Sequence, residues 1–269
     1  MQIFRFTPST LGGQHRQLGA ALVVAALGGV TASESLAERQ EGVDLSLSGL
    51  LDLSVSSVSR NAEPLFTAAS AVSVVTADDL FYGHVRNLPD ALRGLPGVTV
   101  SRINGNQWEV GPRGFGYIYS NKMQVLIDGR SVYTPTFSGV YWDQHGVPID
   151  DIERIEVIRG PGSSVWGSNA VSGVVNVSSK PAFDTLGWLT RVGLGTLEQE
   201  AVVRYGWQLG QVGALRVTGR FFHHGDGASV DEMPADDEST SGRLDLRYDW
   251  EPTAEQRLTI QGAFQRQGR

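Results

Sequence analysis

The feature that most constrains this 269-residue sequence is a strict alternation of apolar and polar residues after Pro181. In the clearest run, even positions from 244 to 250 are apolar or aromatic and odd positions from 243 to 249 are charged. A period of two puts all apolar side chains of a β-strand on one face. The other strands predicted by this pattern lie near 188–195, 199–208, 214–222 and 257–265. The sequence therefore predicts five consecutive antiparallel strands.

Two environments fit this alternation. Each strand is close to the ~9–11 residues that cross a bilayer when tilted, and the apolar faces carry aromatic residues towards their ends. The connections at 210–213 and 251–256 are short, whereas 223–242 is long and acidic, as in outer-membrane barrels. The connection around Gly195 is short, which leaves that pattern incomplete. A soluble antiparallel sheet with one solvated face has the same period, so alternation alone leaves both open.

The N-terminus favours the membrane environment. Arg5 and Arg16 precede the uncharged run 18–30, which has the length of a signal-peptide core and is too short to span a bilayer. Cleavage is expected after Ala32 or Ala37, so residues 1–37 are predicted as a signal peptide, with a buried core helix as the alternative. No later segment contains the roughly 18 apolar residues of a transmembrane helix. Membrane residence would therefore come from β-strands.

Between these parts, a polar periplasmic linker (38–70) precedes a compact domain (71–180) of short strands and helices. Thr76 is expected to cap a helix that begins with acidic residues, and Leu88–Arg93 forms a second helix. Asp128-Gly129 predicts a tight hairpin. The predicted strands of this domain are 71–75, 98–102, 124–127, 130–133, 155–159 and 173–177. The 33 glycines of the chain agree with such a turn-rich α+β domain.

Four segments of this domain resemble, in order, the plug of TonB-dependent outer-membrane receptors. They are Leu88–Val98 (LPDALRGLPGV), Pro112–Phe115 (PRGF), Val125–Gly129 (VLIDG) and Ile152–Val177 (IERIEVIRGPGSSVWGSNAVSGVVNV). Ser172 departs from the pattern, since the family usually has the first glycine of a Gly-Gly pair there. The resemblance implies an α+β plug domain followed by antiparallel β-strands of an incomplete transmembrane β-barrel, with about five barrel strands in 181–269.

Family barrels have 22 strands, and an open edge in hydrocarbon leaves backbone groups unsatisfied. We therefore expect the sequence to be a fragment of a longer receptor, with a truncated product as the alternative. The resemblance places the protein in the outer membrane of a Gram-negative bacterium, in contact with outer-membrane lipid.

The resemblance also implies a ligand surface at the extracellular apices of the plug, within 104–108, 117–122 and 134–143. Aromatic side chains supply large contact areas there. The candidate ligand-binding residues are Trp108, Tyr117, Tyr119, Phe137, Tyr141 and Trp142. The expected ligand is an iron chelate such as a siderophore, haem or a cobalamin-like nutrient. Alternatively, these rings pack the plug against the barrel wall.

Two further roles follow from the resemblance. Arg113 and Arg159 are expected to lock the plug to glutamates of the barrel's inner wall beyond residue 269, unless they are exposed at strand ends. A segment ahead of the plug is expected to add as a strand to the periplasmic partner TonB. The candidate TonB contact is Leu53, Ser54, Val55, Ser56, Ser57 and Val58, with a plain linker as the alternative.

The family function implied is energy-dependent import of a scarce nutrient, with a ligand-binding or signalling module as the alternative. The formal charge of −7 disfavours nucleic acid as a partner. The chain has no cysteine, and it lacks both a Gly-Lys-Ser/Thr loop and a Gly-x-Ser-x-Gly elbow. We therefore assign no catalytic site, no metal site and no cofactor.

Overall fold

The computed structural model of this protein describes most of the chain after residue 69 and two short stretches before it. The described residues are 54–55, 63–64, 70–105, 107–118, 120–227 and 235–268. The predicted signal peptide lies outside them. Of the predicted TonB-contact residues, those outside the described ranges are Leu53, Ser56, Ser57 and Val58. None of the helices in the described ranges is both long enough and apolar enough to cross a membrane.

The described elements are short in the first part of the chain and long in the second. The strands are β1 (Ser54–Val55), β2 (Glu63–Pro64), β3 (Val72–Thr76), β4 (Val98–Arg102), β5 (Trp108–Pro112), β6 (Met123–Ile127), β7 (Arg130–Ser131), β8 (Ile152–Arg159), β9 (Gly173–Ser179), β10 (Gly187–Leu194), β11 (Glu198–Leu209), β12 (Gly213–His224), β13 (Ser239–Thr253) and β14 (Gln256–Gly268). The α-helices are α1 (Ala77–Tyr82), α2 (Leu88–Leu92) and α3 (Ser163–Trp166). Short 3-10 helices span Trp142–Gln144, Ile149–Asp151 and Ala182–Thr185.

Both predicted helices begin where their capping residues require. Thr76 Oγ1 accepts a hydrogen bond of 3.2 Å from the Asp79 N–H, and the Asp79 carboxylate accepts one of 2.8 Å from the Thr76 N–H. This reciprocal pair is a capping box, so the predicted cap of α1 is confirmed. Asn87 caps α2 with its side chain, because its Oδ1 accepts from the Asp90 N–H at 3.0 Å. Such caps stabilise a helix by about 1 kcal/mol each.

The core of the first part is a mixed sheet with the strand order β3-β8-β9-β6-β7. Strand β6 runs parallel to β9, and the other pairs are antiparallel. Both central strands are buried: Ile155 and Val157 of β8 and Val175 and Val177 of β9 have no exposed surface. Burying each such side chain stabilises the fold by roughly 1.5–3 kcal/mol. The predicted strands of this part are confirmed, although strand β5 was not predicted.

The predicted hairpin at the edge of this sheet is present. Ile127 pairs with Arg130, and both turn residues have positive φ, +49° for Asp128 and +77° for Gly129. A tight turn of this kind matches the natural twist of the strands, which explains the Asp-Gly dipeptide. The second strand is shorter than expected, since β7 ends at Ser131 rather than at Tyr133.

The second part is a meander sheet with the strand order β10-β11-β12-β13-β14. All neighbouring strands are antiparallel, so the predicted series of five strands is confirmed among the described residues. The apolar face of this sheet points away from the mixed sheet: Trp188 and Phe264 are each 69 % exposed and Ile260 is 52 % exposed. The polar face lies against the first part. This arrangement reverses the usual placement of apolar side chains in a soluble sheet.

Candidate functional site

The polar face of the meander sheet meets the first part of the chain through ion pairs centred on Asp151. Asp151 ends a 3-10 helix and is 2 % exposed. Its Oδ1 accepts from Arg204 Nη1 of β11 at 3.1 Å, and its Oδ2 accepts from Thr218 Oγ1 of β12 at 2.6 Å. Arg216 Nε of β12 lies 3.5 Å from the same Oδ2. A buried carboxylate needs such partners, because leaving it unpaired costs several kcal/mol.

The neighbouring Asp150 extends this contact to β10. Arg191 Nε donates to Asp150 Oδ2 at 2.9 Å, while Arg191 Nη1 lies 3.0 Å from Glu200 Oε2. Arg220 Nε donates to the other Glu200 oxygen at 2.7 Å. Both oxygens of the buried Glu200 are thereby used by arginines of the adjoining strands. We call Asp150 and Asp151, with Arg191, Arg204 and Arg216, the aspartate anchor.

A second set of contacts lies towards the short turns of the meander sheet. Asp249 Oδ2 of β13 accepts from the Ala182 N–H at 2.6 Å, and Arg247 Nη1 donates to Ser179 Oγ at 2.7 Å. At the hairpin, Asp128 Oδ2 accepts from Ser179 Oγ at 2.8 Å and from Gln261 Nε2 of β14 at 3.0 Å. Beside these contacts is a cavity of about 250 Å³, lined by side chains of the hairpin and of β12, β13 and β14.

The charge pattern is reversed at the end of the sheet that carries the long connection, 225–238. There the first part of the chain supplies the cation: Arg102 Nη1 donates to Glu198 Oε1 of β11 at 2.6 Å. Arg86 Nη1 lies 3.5 Å from the other oxygen of Glu198. The first part thus presents carboxylates to the middle of the sheet and arginines to this end.

Known proteins resemble this chain in sequence and in fold. Residues 64–174 match the family model of the TonB-dependent receptor plug domain. The chain is 36% identical over 144 residues to an iron-regulated outer membrane virulence protein of Vibrio cholerae, covering 52% of this chain and 21% of that protein. The chain thus carries a plug domain of the TonB-dependent receptor type in residues 64–174. Its first part is the plug, and its meander sheet is part of the barrel wall.

Two further proteins extend the comparison. A vitamin B12 transporter of Vibrio vulnificus is 29% identical to the chain, covering 63% of this chain and 28% of that protein. The crystal structure of the siderophore receptor PirA from Pseudomonas aeruginosa superposes with a TM-score of 0.54 at 25% identity, covering 74% of this chain and 36% of PirA. The chain thus spans between a fifth and about a third of the length of these proteins. The latter two are a transporter and a receptor, which agrees with the expectation that this chain is not an enzyme.

The aromatic residues predicted to bind ligand occupy different environments in the plug. Trp108 begins β5 and, like Trp142, is 7 % exposed in the plug core. Tyr117 is 61 % exposed. Phe137 and Tyr141 are half-buried and pack edge to face, with ring centroids 4.7 Å apart. Tyr119 lies outside the described residues.

The two predicted locking arginines contact the plug itself. Arg113 directly follows β5 with a φ of +55°, and its Nη2 donates to the Arg159 carbonyl at 2.9 Å. Arg159 Nη1 donates in turn to the Pro96 carbonyl at 2.8 Å. Among the described residues, the buried Nε atom of Arg159 has no hydrogen-bond partner. Their pairing with glutamates of a barrel wall stays a prediction.

The described part of the predicted TonB contact is strand β1. Ser54 pairs with Pro64 and Val55 pairs with Glu63 in an antiparallel ladder. Val55 has no exposed surface. These two residues are therefore engaged in the chain's own β-pairing, which is the backbone geometry that strand addition would use.

The residues of the aspartate anchor were not among the predicted site residues. A signal was present, because Arg191, Arg204 and Arg216 all fall on the polar face of predicted strands. Arginines that face another domain rather than solvent require buried acceptors. The sequence alone does not identify the acceptors, since Asp150 and Asp151 lie in a loop between predicted strands.

Proposed function

We propose that this chain is the plug and the beginning of the barrel of an outer-membrane receptor that imports a metal chelate or cobalamin-like nutrient with energy from TonB. The observation that carries the proposal is the inside-out meander sheet. Its charged face binds the plug through the aspartate anchor, and its apolar face is exposed. A wall of this kind suits a plug enclosed in a barrel and surrounded by lipid.

The ligand class rests on the relatives and on the chemistry of the plug surface. One relative is a vitamin B12 transporter and another is iron-regulated, and PirA is a siderophore receptor. Tyr117, Phe137 and Tyr141 supply rings that are at least partly exposed, and such rings suit ligands with aromatic or macrocyclic surfaces. Trp108 and Trp142 support this surface from within the plug core.

The ligand proposal is tested by titrating the full receptor with ferric siderophores, haemin and cyanocobalamin. We expect one class to bind, and Tyr117→Ala or Tyr141→Ala to weaken its binding by about ten-fold, which corresponds to about 1.4 kcal/mol. The matched control is Tyr82→Ala in α1, because Tyr82 is also 61 % exposed. Wild-type affinity in both apex variants would exclude these rings from the ligand site.

Energy coupling is proposed to act through β1. A proline at position 55 removes the backbone N–H that strand addition needs, whereas Val55→Ala keeps it. We expect Val55→Pro to abolish uptake of the bound ligand while leaving its affinity unchanged, and Val55→Ala to retain uptake. Uptake by Val55→Pro at the wild-type rate would remove this segment as the TonB contact.

A further inference from the structure

Beyond the aspartate anchor and the contacts near the short turns, the plug makes a separate attachment at the end of the wall that carries the connection 225–238. It is built around the guanidinium of Arg102, the last residue of β4. Arg102 donates through Nε to the Asn104 carbonyl at 3.2 Å and through Nη2 to the Gly105 carbonyl at 2.7 Å. The same group donates to Glu198 Oε1 at 2.6 Å and meets His224 Nδ1 at 3.1 Å.

One side chain thus fixes two consecutive carbonyls of the plug and two side chains of the wall. Arginine suits this task because its planar fork offers five donors in fixed directions. The guanidinium also lies over the Trp108 ring, 5.0 Å from its centroid. Trp108 is buried in the plug core, so it supports Arg102 from below and limits the directions in which it can turn.

A second bridge reaches the same backbone from the wall. Asp237 precedes β13, and its Oδ2 accepts from the Gly105 N–H at 2.5 Å. Its Oδ1 accepts from the Gly227 N–H at 2.8 Å, on the other side of the connection. The Gly227 and Gly105 N–H groups, together with the nearby charges of His224 and Arg102, hold the pKa of Asp237 below its usual range. Asp237 is therefore a carboxylate at neutral pH and accepts both bonds.

The fit at Gly105 is close. Gly105 is buried, and a methyl group on it would lie 2.6 Å from His224 Cδ2 and would also meet the Asp237 carbonyl. Real side-chain carbons do not approach so closely. The backbone of the plug therefore lies directly against the wall here, and only glycine leaves room for it.

We propose that Arg102, with Glu198, His224 and Asp237, forms a clasp that holds the plug segment 102–105 on the wall and positions the neighbouring ligand surface. Arg102 is the positioning residue of the clasp. This inference rests on the proposed function, because the segment 104–108 is one of the plug apices predicted to face the ligand. Its consequence is that ligand affinity depends on a contact between plug and wall that touches no ligand.

The clasp is tested in the full receptor with a spin label at position 103. Ile103 is 48 % exposed and the 269 residues contain no cysteine, so Ile103→Cys gives a label site unique within this sequence. We expect Arg102→Ala and Glu198→Ala each to increase the mobility of this label. We also expect each to weaken binding of the ferric siderophore, haemin or cyanocobalamin that the wild type binds, by about ten-fold. The double variant should show no higher label mobility and no weaker ligand binding than either single variant.

The matched control is Arg93→Ala. Arg93 also lies over Trp108, at 5.9 Å, but its hydrogen bonds go to Asp90 and the Val100 carbonyl within the plug. We expect Arg93→Ala to leave label mobility and ligand affinity as in the wild type. Arg102→Lys should retain only part of the label restriction and ligand affinity that Arg102→Ala loses. Gly105→Ala should mobilise the label as Arg102→Ala does.

Two results would overturn the clasp. One is an unchanged label spectrum in both Arg102→Ala and Glu198→Ala. The other is an Arg93→Ala variant that loses as much ligand affinity and label restriction as Arg102→Ala. That result would indicate that both arginines act only through the general stability of the plug. If the wild type binds none of the three ligand classes, the proposed function fails, yet the label measurement still decides whether the clasp exists.

Discussion

In both sheets successive side chains of a strand point to opposite faces, but the mixed sheet and the meander sheet place their apolar residues differently. The central strands of the mixed sheet are buried on both faces, and their valines and isoleucines meet inside the plug. The meander sheet turns its charged residues towards the plug and its apolar residues away from it. The difference shows that the surroundings of each sheet, rather than its strand pattern, determine which face must be apolar.

The boundary between the two sheets is correspondingly polar. Its contacts are ion pairs and hydrogen bonds between arginines, carboxylates and backbone groups. Such contacts depend on exact pairing, whereas apolar packing tolerates small shifts. The plug is thus held together by apolar burial and held to the wall by charge.

The largest effect is expected where this boundary is most buried. Asp151→Ala leaves Arg204 and Arg216 facing a cavity, and we expect it to cost about 3–5 kcal/mol of the stability of the plug in its barrel. Unfolding of the full receptor in urea, followed by proteolysis of the released plug, measures this cost. Arg257→Ala removes the exposed pair with Glu251 in a wall turn and should cost at most about 1 kcal/mol. Equal losses in the two variants would mean that the anchor is not buried.

The outer, apolar face of the meander sheet provides a second test of the comparison. Leu244→Arg puts a charge in the middle of β13, where lipid should surround it, and is expected to cost about 2–4 kcal/mol. Gln199→Arg puts the same charge on the same face near the end of β11, where the cost should fall to at most about 1 kcal/mol. Folding yields into lipid vesicles compare the two variants. A neutral effect of Leu244→Arg would indicate that water, not lipid, covers this face.

A smaller effect is expected at the N-terminus of α1, the first helix of the plug. Thr76→Ala removes the capping box of α1 and should lower plug stability by about 1 kcal/mol, while Thr76→Ser keeps the hydroxyl and most of that stability. Thermal unfolding of the two variants separates them. A serine variant as unstable as the alanine variant would show that the methyl group matters, not the cap.

The smallest effect is a pH dependence confined to the plug. Burial, together with the charges of Arg130 and Arg243, lowers the pKa of His145 to about 4. The unfolded chain, with a histidine pKa near 6.5, takes up this proton first, so stability should fall as pH drops from about 6.5 towards 4. Between pH 7 and 5.5 we expect a loss of about 1 kcal/mol that His145→Asn lacks. A wild type whose stability is constant over that range would contradict the neutral state of the half-buried His145.

Much of the fold follows from local sequence signals. Thr76 and Asp128-Gly129 specify their cap and turn through the chemistry of adjacent residues, and period-two alternation specifies the wall strands. Strand β5 was missed because Trp108–Pro112 has no clear alternation and ends in proline. Its pairing with β4 brings it into the plug core, which no local signal indicates.

The site was less predictable, because it depends on contacts between distant segments. The rings of Trp108 and Tyr117 look alike in sequence, yet one is buried and the other exposed. The partners Asp151 and Arg204 are 53 positions apart, and their pairing requires both sheets to be folded. Motif resemblance located the plug, but packing alone decides which of its residues contact the wall.

The most direct test of the central claim is the environment of alternate residues along β13. Because the 269 residues lack cysteine, single cysteines at 244, 245, 246 and 247 can each carry a spin label in the full receptor in lipid vesicles. The inside-out arrangement predicts that labels at 244 and 246 collide with oxygen dissolved in lipid, while those at 245 and 247 are shielded by the plug. Labels at 244 and 246 that collide instead with a water-soluble reagent would contradict it.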